Sequence, residues 1–336
     1  MLDVLEANEL LERAEELRVS GRYDDLNALI LSVPNHSLIK EQDLGYYSAV
    51  ISYKAGNFVV ALAKVQRTLR TLPCFENTLL RRRLTNLAGI ILVDLGRLHD
   101  AQAEFMRTSA MASAAQDLVM TANTTMNLGV IADIRCEWDQ AIAAFSRACV
   151  MFESLASVRL VAGSHHNLGM SFREKGLFAC ACAHLDHALE GYSNHGSASD
   201  IVAAQSERAL VVSLNGDGIH AKRSAEAALK KALALGSQRL IGECMRVLGR
   251  VCIAKGEHGV GKEYLERALP IARDAHMRIL LGEILEELAV LELTRGDKMT
   301  GNAYLIRCEQ IYSTIGAQSR ISRARARCLG VCPGNA

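Results

Sequence analysis

Small and apolar residues recur along this chain with a helical spacing that itself repeats every 40 residues. With Gly129, Gly169, Ala209, Gly249 and Ala289 as anchors, the positions twelve residues later hold Ala141, Ala181, Ala221, Gly261 and Gly301. Sixteen residues after each anchor come Phe145, Leu185, Ala225, Leu265 and Leu305, and nineteen after come Ala148, Ala188, Ala228, Ala268 and Cys308. Offsets 12, 16, 19 and 23 stand in the relation i, i+4, i+7 and i+11, which is one face of an α-helix. Small residues on that face let a second helix approach closely. The expected class is all-α.

Seven residues after each anchor stand Cys136, Gly176, Gly216, Gly256 and Gly296. A glycine there ends the preceding helix, because a residue without Cβ enters the left-handed C-terminal conformation without strain. The frame extends upstream with small slips: Ala88 with Gly96, Ala101 and Phe105; Ala49 with Gly56, Ala61 and Val65; Ala14 with Gly21, Leu26 and Ile30. Residues 1–318 are thus predicted to form eight units of helix, tight turn and helix. A ninth anchor falls near residue 329, where Leu329 and Gly330 sit. Residues 319–331 read as a lone first helix that caps the apolar face of the last repeat, as a stacked array requires, and 332–336 as a tail. On this reading Arg320, Arg323, Arg325 and Arg327 form the solvated side of the cap, with a basic interaction tail as the alternative.

Composition narrows the function classes. Thirty-eight basic against thirty-seven acidic residues leave a formal charge of +1, which supplies no field for nucleic acid or an anionic membrane. The N-terminus alternates acidic and apolar residues without the form of a signal peptide. No apolar run reaches the ~18 to 20 residues of a membrane span. A cytoplasmic protein is expected, with its ten cysteines as thiols, not disulfides. The sequons at Asn35 and Asn123 then read as chance matches.

The stretch "HNLGMSFREKGLFACACAHLDHAL", residues 166–189, carries N-L-G, a glycine turn, an aromatic, and A-x3-L-x2-A. It resembles the tetratricopeptide repeat (TPR), and the likeness extends over nearly the whole chain. The 40-residue period in place of 34, and the mostly missing closing proline, resemble the long-repeat subtypes of kinesin light chains and large bacterial regulators. The resemblance implies a right-handed superhelical solenoid whose first helices line a concave groove. It also implies a non-catalytic scaffold holding an extended peptide or protein segment, or alternatively a ligand-sensing module of a transcriptional or signalling system. No helix-turn-helix or ATPase segment is visible, and the exposed ends of an array leave self-association open.

In the resembled family the positions flanking the anchor on the first helix point into the groove. Here they give Arg82, Asn86, Met126, Asn127, His166, Asn167, Met170, Arg173, Arg246 and Arg250 as peptide-binding candidates. Tyr46, Tyr47, Tyr53, Asp133, Glu283 and Glu286 stand on the same faces, the tyrosines reading equally well as packing. Asn86, Asn127 and Asn167 recur two residues before successive anchors. An amide both donates and accepts, so such a ladder suits the main chain of an extended peptide; a packing role is the alternative. Arg82 and Arg173 offer donors to carboxylates, and Met126 and Met170 offer adaptable apolar surface.

Three other patterns are weighed and set aside. Cys180, His184 and His187 share a helix face, yet the His187 column holds Arg147, Ala227, Arg267 and Arg307 elsewhere, the pattern of a water-facing position. Three ligands on one helix also fall short of a structural zinc set, and neither metal nor cofactor is expected. "GEHGVGKE", residues 256–263, approaches a phosphate-binding loop but has Glu263 where a hydroxyl must meet magnesium, and no strand before it. No nucleophile elbow, zinc-protease helix or catalytic carboxylate pair appears, so an enzyme is not expected.

Overall fold

The structure, a computed structural model, describes residues 4–33, 41–73 and 76–330. Asn35 and the tail at 332–336 lie outside the described residues. Every described element is helical, in consecutive pairs: α1 (Val4–Val19) and α2 (Tyr23–Ser32), α3 (Glu41–Lys54) and α4 (Phe58–Thr71), α5 (Leu79–Asp94) and α6 (Leu98–Ala114), α7 (Leu118–Ile134) and α8 (Trp138–Ser154). There follow α9 (Val158–Glu174) and α10 (Phe178–His195), α11 (Ala198–Leu214) and α12 (Gly218–Ala234), α13 (Gln238–Ala254) and α14 (His258–Asp274), α15 (Arg278–Thr294) and α16 (Lys298–Thr314), and last the unpaired α17 (Gln318–Cys328). None of these helices is long and apolar enough to cross a membrane. All eight anchors fall in the first helix of a pair.

The columns have the physical origin that their spacing implies. A Cβ built on Gly169 would lie 2.6 Å from Leu185 Cγ, and one on Gly129 would lie 2.7 Å from Phe145 Cε1. The anchor is small because the side chain sixteen residues later, on the partner helix, lands on it. Ala141, Ala181, Ala221, Ala148, Ala188 and Ala228 are wholly buried, which seats the second helices close to their neighbours.

The period follows from helix length. α8 and α9 have 17 residues each, and a three-residue turn brings each helix-plus-turn to twenty. Each turn inside a pair closes on a left-handed residue, as at Gly176 (φ 75°) and, without glycine, Cys136 (φ 61°). Cys136 N–H donates to Asp133 O and Glu137 N–H to Ala132 O, both at 2.9 Å, the paired bonds that satisfy a helix's last carbonyls. The turns between pairs use the same device at Gln116, Ala156 and His276 (φ 51–56°) and at Gly236 and Gly316. The connections after α4 and α10 differ: α4 ends at an extended Leu72 and Thr78 caps α5, and α10, at 18 residues, runs one residue further, with a Ser197–Asp200 capping box starting α11.

The chain forms two compact units, Met1–Leu95 with Asp100–Thr121, and Gly96–His99 with Ala122–Ala336. In the first, Tyr46 and Tyr47 are buried edge to face with ring centroids 5.2 Å apart. The second takes in most of α7, all of α8 to α16, and the helix expected over 319–331, observed as α17.

Candidate functional site

Of the ten candidate residues, Arg82 and Asn86 lie on α5 in the first unit. Arg82 is buried; its Nε donates to Asp117 Oδ2 at 3.0 Å and its Nη1 to the Asn77 carbonyl at 2.9 Å. Asp117 also accepts from Met120 N–H at 3.0 Å, so Arg82 ties the start of its own helix to a helix cap. Asn86 is half-buried on the same helix. Tyr47 donates to Glu15 Oε2 at 3.4 Å, which places that tyrosine in packing.

The other eight stand on first helices of the second unit, where α9, α11, α13, α15 and α17 bring charges of both signs to one inner face. Arg173 lies 2.9 Å from Glu174 and 3.4 Å from Glu207; Arg246 lies 3.6 Å from Glu207 and 3.4 Å from Glu283; Arg250 lies 3.0 Å from Glu287. Each arginine thus meets a glutamate of a neighbouring first helix, so the charges expected to await a peptide carboxylate are paired within the protein, while Arg173 Nε and Arg246 Nε make no hydrogen bond among the described residues.

α17 departs from expectation. Arg320 is 5% exposed: its Nε donates to the Ile134 carbonyl at 2.8 Å and its Nη1 to Glu283 at 2.7 Å. Arg323 reaches Glu174 and Glu286, and Arg327 reaches Glu286 and, at 3.0 Å, Glu287. Only Arg325, its side chain 60% exposed beside Glu309, has the solvated character expected of all four. The reason is periodicity: 320, 323 and 327 stand at i, i+3 and i+7, one stripe facing the unit's interior, while 325 falls off it. Arg327 also stands two residues before the ninth anchor, in the column of Asn127, Asn167, Glu207, Val247 and Glu287.

Electrostatics bind these groups together. Burial pushes the Glu174 carboxyl up, but Arg173, Arg323, Arg250 and Arg320 overcome it and hold it well below the usual range. Burial is likewise outweighed at Glu283 by Arg246 and Arg320, and at Glu287 by Arg250 and Arg327, leaving each at about 2. Burial pushes Arg250 down to about 10, Glu287 opposing and Arg327, Arg173 and Arg246 assisting. Burial raises Asp133 although Ser171 donates to it at 2.6 Å.

Against this paired background, His166 and Asn167 on α9 stand out. Both are half-buried, and neither side chain has a hydrogen-bond partner among the described residues. Burial pushes His166 down from its ordinary value, and its ring meets Tyr192 edge-on at 6.5 Å. Met170, one turn on, is half-buried. Met126 instead packs against two buried clusters, one holding Phe145 and Leu168 and the other Phe152, and accepts from Ser164 Oγ at 3.7 Å. Asn127 is half-buried.

The histidine-rich stretch assembles differently from its spacing. Cys180 is exposed, whereas His165 from α9 joins His184 and His187 of α10, with ring centroids 5.1 and 5.2 Å away. In "GEHGVGKE", Gly256 ends α13 at φ 83°, Gly261 is buried in α14, and Lys262 pairs with Glu292 at 2.8 Å. No strand precedes it, and its one lysine is spent.

The fold is that of a TPR-like all-α repeat solenoid. No protein-family model matches the chain, and no curated protein does. Solved structures with this fold include a Rap protein complexed with competence and sporulation factor, 13% identical with a TM-score of 0.65 over 97% of each chain. The Rap conjugation gene regulator of the plasmid pLS20, in complex with the Phr* peptide, is 12% identical with a TM-score of 0.68 over 95% of this chain and 97% of that one. NprR in complex with its cognate peptide NprX is 13% identical with a TM-score of 0.66 over 98% of each chain. At such identity the likeness is one of fold.

Proposed function

We propose that the protein is a non-catalytic peptide-binding module in which α7 and α9 of the second unit present Asn127, His166, Asn167 and Met170 to an extended peptide. One observation carries the reading: His166 and Asn167 are half-buried and lack hydrogen-bond partners among the described residues, beside charged groups that are paired. A half-buried amide and imidazole gain most from a ligand that brings main-chain donors and acceptors. The peptide-bound Rap and NprR structures, aligned over nearly their full length, support a peptide as the partner. They also make bacterial regulators the nearer guide among the long-repeat subtypes that the sequence resembles. Arg173, Arg246 and Arg250 then shape the floor of the site; recognition through them requires exchange of an internal glutamate for a ligand carboxylate. Eight cysteines stand as free thiols among the described residues, which supports a cytoplasmic setting.

The test is fluorescence anisotropy with a library of short linear peptides, followed by the His166→Ala, Asn167→Ala double variant. Loss of two polar pairs costs roughly 1 to 3 kcal/mol, a drop in affinity of about 5- to 150-fold. Failure of the whole library to bind at millimolar concentration, or unchanged binding by a folded double variant, defeats the proposal.

A second reading, ligand sensing, is favoured by α17. Arg320 and Arg323 fasten it to α7, α9 and α15. A ligand anion competing for Arg323 loosens that attachment, so a sensor changes its scattering dimensions when peptide binds and a passive scaffold does not.

A further inference from the structure

Cys149, Glu153 and His165 take no part in the recognition face. Cys149 and Glu153 stand at i and i+4 on α8, side by side on one face, and His165 comes to them from α9. Cys149 Sγ lies 3.9 Å from His165 Nε2 and 3.7 Å from Glu153 Oε1, and one ligating atom from each residue lies within 4.8 Å of the other two. Metal–ligand bonds of about 2.3 Å to thiolate and about 2.0 to 2.1 Å to imidazole, at a tetrahedral angle, set sulfur and nitrogen about 3.6 Å apart. The observed spacing is a few tenths of an ångström wider, a gap that side-chain torsion closes without moving either helix.

A separate contact orients the imidazole. His165 Nδ1 lies 2.9 Å from His184 Nδ1, so one of these nitrogens carries the proton and the other accepts it. With the proton on His165, its Nε2 presents a bare lone pair toward Cys149. A ligating histidine is commonly fixed in this way, its second nitrogen donating to a neighbour. His184 is itself held by Phe172, stacked on it at 5.1 Å and 2°.

We propose that Cys149, Glu153 and His165 form a binding site for one divalent transition-metal ion of the zinc class, with His184 as a positioning residue. The donors select the ion: thiolate and imidazole suit zinc or cobalt and disfavour calcium and magnesium. Binding makes one bond each from sulfur, nitrogen and oxygen to the metal and releases the thiol proton to solvent. Thiolate and carboxylate together then balance the 2+ charge beside the buried Cys149, which is 6% exposed. Three protein ligands leave a fourth position for water, and Glu153 is exposed. The ion staples the second helix of one repeat to the first helix of the next, one residue from His166. The site shares no residue with the peptide face, so either proposal stands or falls alone.

The experiment uses the untagged full chain, stripped with chelator, reduced and titrated with Co2+. The expected result is a thiolate-to-cobalt charge-transfer band with tetrahedral d–d bands, saturating at one ion per chain and abolished by Zn2+. Cys149→Ser removes the charge-transfer band, while Cys180→Ser and Cys182→Ser, on α10, leave it unchanged. His184→Ala weakens cobalt binding by about 10- to 100-fold while retaining the band at saturation. Far-ultraviolet circular dichroism verifies that each variant is folded, and Glu153→Gln, altered at an exposed side chain, weakens binding without burdening the fold. Absence of the band in the wild type, its persistence in Cys149→Ser, or wild-type affinity in Glu153→Gln overturns the proposal.

Discussion

Arg320→Ala and Arg325→Ala form a paired test of how α17 is held. The two residues lie in one helix, carry the same charge and each meet a glutamate, so a view in which the cap's arginines are all solvated expects the same negligible effect from both. The structure separates them. Truncating Arg320 removes the bond to the Ile134 carbonyl at 2.8 Å, the pair with Glu283 at 2.7 Å and the stacking over Tyr312 at 5.8 Å. Breaking a buried ion pair costs about 3 to 5 kcal/mol, chiefly by leaving the partner charge uncompensated. Here Arg246 still faces Glu283 at 3.4 Å, and the Glu283 side chain keeps 22% of its exposure, so the penalty is reduced to roughly 2 to 3 kcal/mol. Arg325 is screened by solvent beside Glu309 and its loss leaves stability unchanged.

Trp138, the only tryptophan, lies at the start of α8 in the same unit and reports its unfolding by fluorescence. For a urea dependence of a few kcal/mol per molar, the Arg320→Ala midpoint falls by about 1 M. Arg320→Lys falls between the two, because one ammonium cannot serve both the Ile134 carbonyl and Glu283 with a guanidinium's fixed geometry. Equal midpoints for Arg320→Ala and Arg325→Ala refute the inward placement of the α17 stripe.

Acid should weaken the fold over a defined interval. Glu283 and Glu287 are held at about 2 in the native state against an ordinary 4.5; the unfolded chain therefore takes up more protons between these values, and stability present above pH 4.5 is lost as pH falls toward 2, by about 1 to 3 kcal/mol for each group. Thermal melts across that interval should show a declining midpoint, and a flat profile counts against the network. Gly169→Ala places a methyl 2.6 Å from Leu185 Cγ and is expected to cost about 1 to 3 kcal/mol by overpacking, read as a lower urea midpoint with far-ultraviolet signal retained. Ala156→Gly relieves a left-handed alanine at φ 51° and should raise stability by up to about 1 kcal/mol, read as a higher urea midpoint; a destabilised variant would show that the turn is not strained.

Much of the fold was legible because its determinants are local and periodic. The anchor and its partner sixteen residues later meet across one helical hairpin, as Gly169 meets Leu185 and Gly129 meets Phe145, so their contact is written at constant spacing. The glycine turns were equally plain. The turns between pairs were not, because Gln116, Ala156 and His276 adopt the left-handed conformation without the residue that advertises it. In the histidine stretch, comparison along one column addressed α10 alone, whereas His165 approaches His184 and His187 from α9. The missing signal was the hairpin register: residues just before the anchor face residues near the end of the second helix.

The inner charges were hidden for a different reason. Arg323 meets Glu174 across 149 residues of sequence, and Arg320 meets Ile134 across 186, distances at which no spacing rule operates. Yet the column that holds Asn127 and Asn167 continues as Glu207, Val247, Glu287 and Arg327, and a position that faces inward in one repeat faces inward in all. Carried to the last helix, that rule places Arg327 inside and predicts acidic partners for it, since a buried guanidinium without one is prohibitive. Glu286 and Glu287 are those partners. Apart from the buried Val247, the same column changes from neutral amides to paired charges as the chain proceeds, which divides the inner face by chemistry. On α9 it keeps in Asn167 an amide that a ligand can satisfy, and in the late repeats Glu287 and Arg327 pair with each other. The peptide recognition proposed for α7 and α9 draws on that division, and Arg323 and Glu174 tie α17 to the end of α9, so the repeats proposed to bind and the last helix share an element.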